Sequence, residues 1–114
     1  MVMKYKNIKT EYNGVIYDSR KEMRRGVALE WMEKAGIICD LERQKSFVLQ
    51  EGYVNNHGEK IRPITYLADF VYFDKENGRF VVEDVKSPAT RTDVYRIKKK
   101  LFERKYPEYW FVET

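Results

Sequence analysis

The strongest constraint on the fold lies in residues 64–86. Two runs of β-branched and aromatic residues, ITYLADFVYF at 64–73 and FVVEDVK at 80–86, flank Lys75-Glu76-Asn77-Gly78. Asn-Gly supplies the positive φ angles that a tight antiparallel turn demands, so the spacing predicts a β-hairpin. Its strands read as half or fully buried, yet they carry Asp69, Glu83, Asp84 and Lys86 where apolar residues belong.

Alternation of side chains sorts these charges. Asp84 and Lys86 share a face with Phe80 and Val82, Glu83 points the other way with Val81 and Val85, and Asp69 lies on the face of Leu67, Val71 and Phe73. A four-residue loop sets Asp69 opposite Asp84; a two-residue loop sets it opposite Lys86 with Asp84 two positions away. A bulge breaks this parity and makes Glu83 the second acid. Facing carboxylates repel and are costly when half-buried unless positive charge lies between them. Lys86 supplies one such charge, either as part of a purely structural salt bridge or together with a divalent cation. Oxygen ligands without a histidine or cysteine cluster favour Mg²⁺ or Mn²⁺, one or two ions, over zinc.

Around the hairpin, Ser19 followed by Glu22 marks a helix start, and Met23, Val27, Ala28, Trp31, Met32 and Ala35 form an apolar face over residues 20–35, ending at Gly36. A strand opens at Phe47-Val48-Leu49 and runs into the turn residues Asn55-Asn56-His57-Gly58. After Ser87-Pro88, residues 92–106 read as a helix with Val94, Ile97 and Leu101 in one stripe and Tyr95, Phe102 and Tyr106 beside it, before a last strand at 109–112. The order α-β-β-β-α-β makes an α+β fold with a central sheet flanked by helices.

With 114 residues the chain is expected to form one domain, its basic first dozen residues loose. A net charge of +4 fits a polyanionic partner without requiring one. Cys39 is the only cysteine, and the N-terminus has no signal-peptide core, so an intracellular protein with no membrane segment is expected. Basic residues gather at the start of the first helix (Arg20, Lys21, Arg24, Arg25) and along the second (Arg96, Lys98, Lys99, Lys100, Arg104, Lys105), where they suit phosphate contacts or a solvated face. Lys99 reaches the acids if Val94, Ile97 and Leu101 face the sheet. His57, alone in a turn, has no second histidine with which to build a zinc site.

Asp69 followed by Asp84-x-Lys86 after a hairpin, within this order of elements, resembles the PD-(D/E)XK nuclease superfamily, the restriction-endonuclease-like fold. More specifically, Tyr17-Asp18-Ser19-x-x-Glu22, Ala35-Gly36-x-Ile38 with Asp40-Leu41-Glu42, Tyr66-x-Ala68-Asp69-Phe70, Val82 to Lys86 and Tyr95 to Phe102 are similar to a family of small phage-encoded nucleases long known only as a domain of unknown function. The chain departs from the superfamily pattern in having Ala68, not proline, before the first acid. The resemblance covers almost the whole chain. It implies that Asp69, Asp84 and the Val85 carbonyl hold Mg²⁺ and that Lys86 orients or deprotonates the attacking water. Glu22, otherwise the capping partner of Ser19, joins the metal site. It also implies a homodimeric endodeoxyribonuclease in the bacterial cytoplasm that leaves 5′-phosphate ends. Branched DNA such as a Holliday junction is the expected substrate, with nicking of ordinary duplex DNA as the alternative, and phage recombination, replication or packaging the setting. The rival expectation is a non-catalytic DNA-binding accessory module.

Overall fold

The computed structural model describes residues 9–114. Two short strands, β1 (Thr10–Tyr12) and β2 (Val15–Tyr17), pair across Asn13-Gly14, both at positive φ. Of the first dozen residues, expected to be loose, 10–12 form strand β1, and 1–8 lie outside the described residues. Asn13-Gly14 carries the same turn signal as Asn77-Gly78.

Helix α1 (Arg20–Lys34) starts at Ser19, whose Oγ accepts from the Glu22 N–H at 3.1 Å. The Glu22 carboxylate accepts from the Asp18 N–H at 2.9 Å, one residue beyond the reach of an ordinary capping box. The helix ends where Gly36 turns left-handed at φ +78°. Its buried positions are Glu22, Gly26 and Leu29, whereas the apolar pattern points to a face through Val27 and Trp31, and Trp31 is 65% exposed. Gly26 decides the orientation, since a Cβ there would stand 2.8 Å from the Tyr17 ring and 3.2 Å from Phe70. The helix approaches the sheet closest along its smallest residue, leaving Met23 and Met32 at the margin.

Strand β3 (Ile38–Gln50) follows directly and is far longer than the Phe47-Val48-Leu49 core predicted for it. Asp40 and Gln44 sit at positive φ, and the register slips between Cys39 and Glu42, which interrupts the alternation that would have revealed the strand. After a small hairpin, β4 (Tyr53–Val54) with β5 (Lys60–Ile61), come β6 (Ile64–Asp74) and β7 (Arg79–Asp84). A single 3₁₀ turn (Pro88–Thr90) leads to α2 (Asp93–Lys105), and β8 (Tyr109–Glu113) closes the fold. The main sheet has the order β3-β6-β7-β8, antiparallel except for parallel β7 and β8, so the fold is α+β with a mixed four-stranded sheet.

Each sheet face has its own core. Tyr17, Leu29, Ile38, Phe70, Tyr72 and Val81 pack on the α1 side. Phe47, Leu49, Tyr66, Ala68, Val71, Val82, Tyr95 and Phe102 pack on the α2 side. Phe102 is completely buried against Phe47, Tyr66 and Tyr106, with ring centroids 5.0–5.4 Å away; its loss would cost about 3–5 kcal/mol. Among the described residues no helix is long and apolar enough to cross a membrane.

Helix α2 buries Tyr95 and Phe102 and turns Val94 (62% exposed), Ile97 (59%) and Leu101 (40%) to the outside. The predicted stripe is therefore the wrong one of two adjacent ones: large aromatics remove more area from water than aliphatics, and they take the core.

Candidate active site

The β6–β7 ladder runs from Asp74↔Arg79 to Phe70↔Glu83, joined by the four-residue loop 75–78. The paired region ends at Phe70↔Glu83, and Asp69 and Asp84 are the residues just beyond it on the two strands. The Val85 N–H donates to Asp69 Oδ2 at 2.7 Å, pinning one strand end to the other.

These acids line a cavity of about 400 Å³, together with Glu22 from α1, Gln44 from β3, Tyr66 from β6, Lys86 from the strand end and Lys98 from α2. Glu22 and Asp84 are each only 3% exposed. Asp84 is gripped on both oxygens: Lys86 Nζ lies 2.8 Å from Oδ1, and the Tyr66 hydroxyl donates to Oδ2. Lys86 Nζ also rests 3.8 Å from the centre of the Tyr95 ring, whose hydroxyl donates to Glu113 at 2.5 Å. Glu113 in turn meets Arg91 at 3.6 Å and Lys99 at 3.7 Å. The Lys21 ammonium donates to the Lys86 carbonyl. Glu22 accepts from the Asp18 N–H on one oxygen and from the Gln44 amide at 3.1 Å on the other.

Burial pushes the Asp69 carboxyl up to about 8, with the negative charge of Asp84 adding to the effect and the Val85 N–H opposing it. A hydrogen bond between Asp69 and Glu22 also favours the protonated acid. Burial and the Asp84 charge likewise raise the Tyr66 phenol far above its ordinary value, so it remains a donor. Four acids, Asp18, Glu22, Asp69 and Asp84, and two lysines, Lys86 and Lys98, line this space, and burial of Asp69 beside Asp84 favours its protonated form.

Glu83 lies on the other side of the sheet, completely buried, with Arg25 Nε 2.8 Å from its carboxylate. No bulge moves it into the cavity. Burial raises its pKa, and Arg25 opposes the rise. Of the basic residues, Lys98 lines the cavity itself. Arg91, Arg96, Lys99 and Lys100 line a neighbouring groove of about 300 Å³ that shares Tyr95 with it. Lys99 reaches Glu113, not the acids. This corrects the expectation for Lys99, which depended on a stripe that faces outward. Arg20 and Arg24 are exposed on α1 and line neither space.

Sequence reasoning missed Tyr66, Tyr95 and Gln44 as cavity residues, whereas Lys98, expected to contact phosphates, lines the cavity. Alternation from Asp69 turns Tyr66 to the opposite face, but Tyr66 and Ala68 pack with Val71 while Phe70 and Tyr72 pack across the sheet. The alternation therefore slips beside Asp69. Gln44 is placed by its positive φ of 54°, for which the sequence carries no signal.

Among the described residues no group of three His, Cys, Asp or Glu side chains is gathered closely enough to hold a metal ion as the side chains stand. The donor set nevertheless fits a hard divalent cation. Glu22, Asp69 and Asp84 come from three elements and offer only oxygen atoms to a cation, and with Asp18 they outnumber the lysines of the same cavity, Lys86 and Lys98.

The model of the family described as "Protein of unknown function (DUF1064)" matches residues 2–114. No curated protein and no solved structure matches the chain.

Proposed function

We propose that this chain, which belongs to the DUF1064 family, is a metal-dependent endodeoxyribonuclease of restriction-endonuclease-like type, acting on branched DNA with two copies engaging two strands. One observation carries the reading: Glu22, Asp69, Asp84 and Lys86 line a single cavity at the open end of a β-hairpin, where burial and the Asp84 charge push the Asp69 carboxyl up to about 8.

Glu22, Asp69, Asp84 and the Val85 carbonyl are the ligands proposed for one or two Mg²⁺ or Mn²⁺ ions. When bound, such a cation supplies Lewis-acid activation of water and neutralises charge on the phosphodiester. Asp69, whose carboxyl burial pushes up to about 8, would have to be ionised to serve as a ligand. Lys86, held between Asp84 and the Tyr95 ring, orients or deprotonates the attacking water. Lys98 at the cavity wall and Arg96 and Lys100 beside it bind flanking phosphates. The solvent-facing Arg20 and Arg24 extend that contact along α1.

A second reading is favoured by Asp84, whose two oxygens are already taken by Lys86 and Tyr66. In it the chain binds DNA without cutting, and the acids form a structural salt bridge. Incubation with supercoiled plasmid and with a four-way junction, in Mg²⁺, Mn²⁺ or chelator, separates the two. Cleavage with metal that disappears in chelator and in Asp84→Ala supports the nuclease. Intact DNA under every metal, or undiminished cutting by Asp84→Ala, rejects it.

A further inference from the structure

Val94, Ile97 and Leu101 form an exposed aliphatic stripe along α2, and none of the three joins either core. Val94 also lines the acid cavity, as does Leu67, which is 54% exposed. Val94 thus belongs both to the outer stripe of α2 and to the wall of the cavity that holds Asp69 and Asp84. Positions three and four apart are neighbours on a helix. Lys98 and Lys105 follow Val94 and Leu101 by four, while Lys100 and Arg104 follow Ile97 and Leu101 by three, so the stripe has cations on both flanks. Among the described residues none of these four cations is in an ion pair.

Charge identifies the occupant. Two copies packed stripe to stripe would set four cations against four, with one acid per copy beside the stripe, Asp93, already paired with Arg96. A partner with a polyanionic edge and apolar planar groups satisfies both the flanks and the stripe. We infer that the Val94–Ile97–Leu101 stripe is a wedge for unstacked bases of DNA, its flanking lysines and arginine holding the phosphates on either side, so that the substrate is DNA with unpaired bases at the point of cutting. Aliphatic side chains inserted between base steps act in this way in other DNA-binding proteins. Uninterrupted duplex must give up stacking to enter, whereas a branch point or bubble has already lost it. The inference rests on the nuclease reading for the cutting step, but the wedge itself is a matter of binding.

The test is therefore made in chelator, where nothing is cut. Anisotropy compares a fully paired duplex with a duplex of equal length carrying a short bubble that contains 2-aminopurine. The wild-type chain is expected to bind the bubble about tenfold tighter and to brighten the probe by unstacking it. Ile97→Asn with Leu101→Asn, at exposed positions that should leave Tm unchanged, is expected to bring the two affinities within about twofold, with little loss on paired duplex. Lys100→Ala with Arg104→Ala is expected to weaken both equally. Equal affinity of the wild type for the two DNAs overturns the wedge, as does a bubble preference that survives in the Asn variant. Dissociation of a dimer by the Asn variant, with DNA preference unchanged, assigns the stripe to a second copy. A chain that prefers the bubble but cuts nothing in Mg²⁺ keeps the wedge and loses the nuclease. One that cuts paired and bubbled DNA alike does the reverse.

Discussion

The Tyr66 hydroxyl donates to the Asp84 oxygen that Lys86 leaves free. A phenol in that position fixes the carboxylate's rotation and so the direction of the oxygen it offers to a cation. Tyr66→Phe keeps the ring in the core and removes only the donor. Half-saturation with Mg²⁺ is expected to rise about 10–100-fold, while the rate at saturating metal changes little. Stability should fall by about 1 kcal/mol. Cleavage assayed across a Mg²⁺ series separates the two parameters.

Asp69 predicts how stability depends on pH. Its carboxyl is raised from 3.8 to about 8 in the folded chain, so between those values the native state holds a proton that the unfolded chain has lost. The stability from this group is complete below the unfolded value and is lost as pH rises through the folded one, by at most about 1.4 kcal/mol per pH unit. In chelator, Asp69→Asn should match the wild type in Tm near pH 4 and exceed it increasingly towards pH about 9. Thermal melts of both proteins over that range check this, and a constant difference would contradict it.

Glu83 and Arg25 separate fold from site. Arg25→Ala leaves a completely buried carboxylate without its partner and should cost about 3–5 kcal/mol in urea unfolding. The pair faces away from the cavity, so folded Arg25→Ala should bind Mn²⁺ as the wild type does.

The hairpin was legible because local signals agreed: Asn77-Gly78 set the loop, and two apolar runs set the strands. Alternation then sorted Asp84 from Glu83 correctly, since the ladder holds its register from Asp74↔Arg79 to Phe70↔Glu83. Legibility ended where backbone geometry broke the period. Positive φ at Asp40 and Gln44 hid the first half of β3, and the slip beside Asp69 hid Tyr66. Both helices were placed well in sequence but rotated wrongly about their axes. Gly26 in α1 and the Tyr95–Phe102 pair in α2 took the core through close approach and aromatic area, which a count of apolar residues does not weigh.

Lys98 and Lys99 are adjacent in sequence but differently placed. Lys98 lines the acid cavity; Lys99 is held 3.7 Å from Glu113. Lys98→Ala should therefore weaken DNA binding more than Lys99→Ala, and should lower the slope of log affinity against log salt by about 0.9, the signature of one lost phosphate contact. Titrations at several salt concentrations measure both effects.

The central claim is that Asp69 and Asp84 share a divalent cation. Calorimetric titration of Mn²⁺ near neutral pH, run in two buffers of different ionisation enthalpy, tests it most directly. The wild-type chain should take up Mn²⁺ and release close to one proton per ion as Asp69 ionises, and Asp69→Asn and Asp84→Asn should each lose the binding. A wild-type chain that takes up no Mn²⁺, or Asn variants that bind it equally well, would contradict the account.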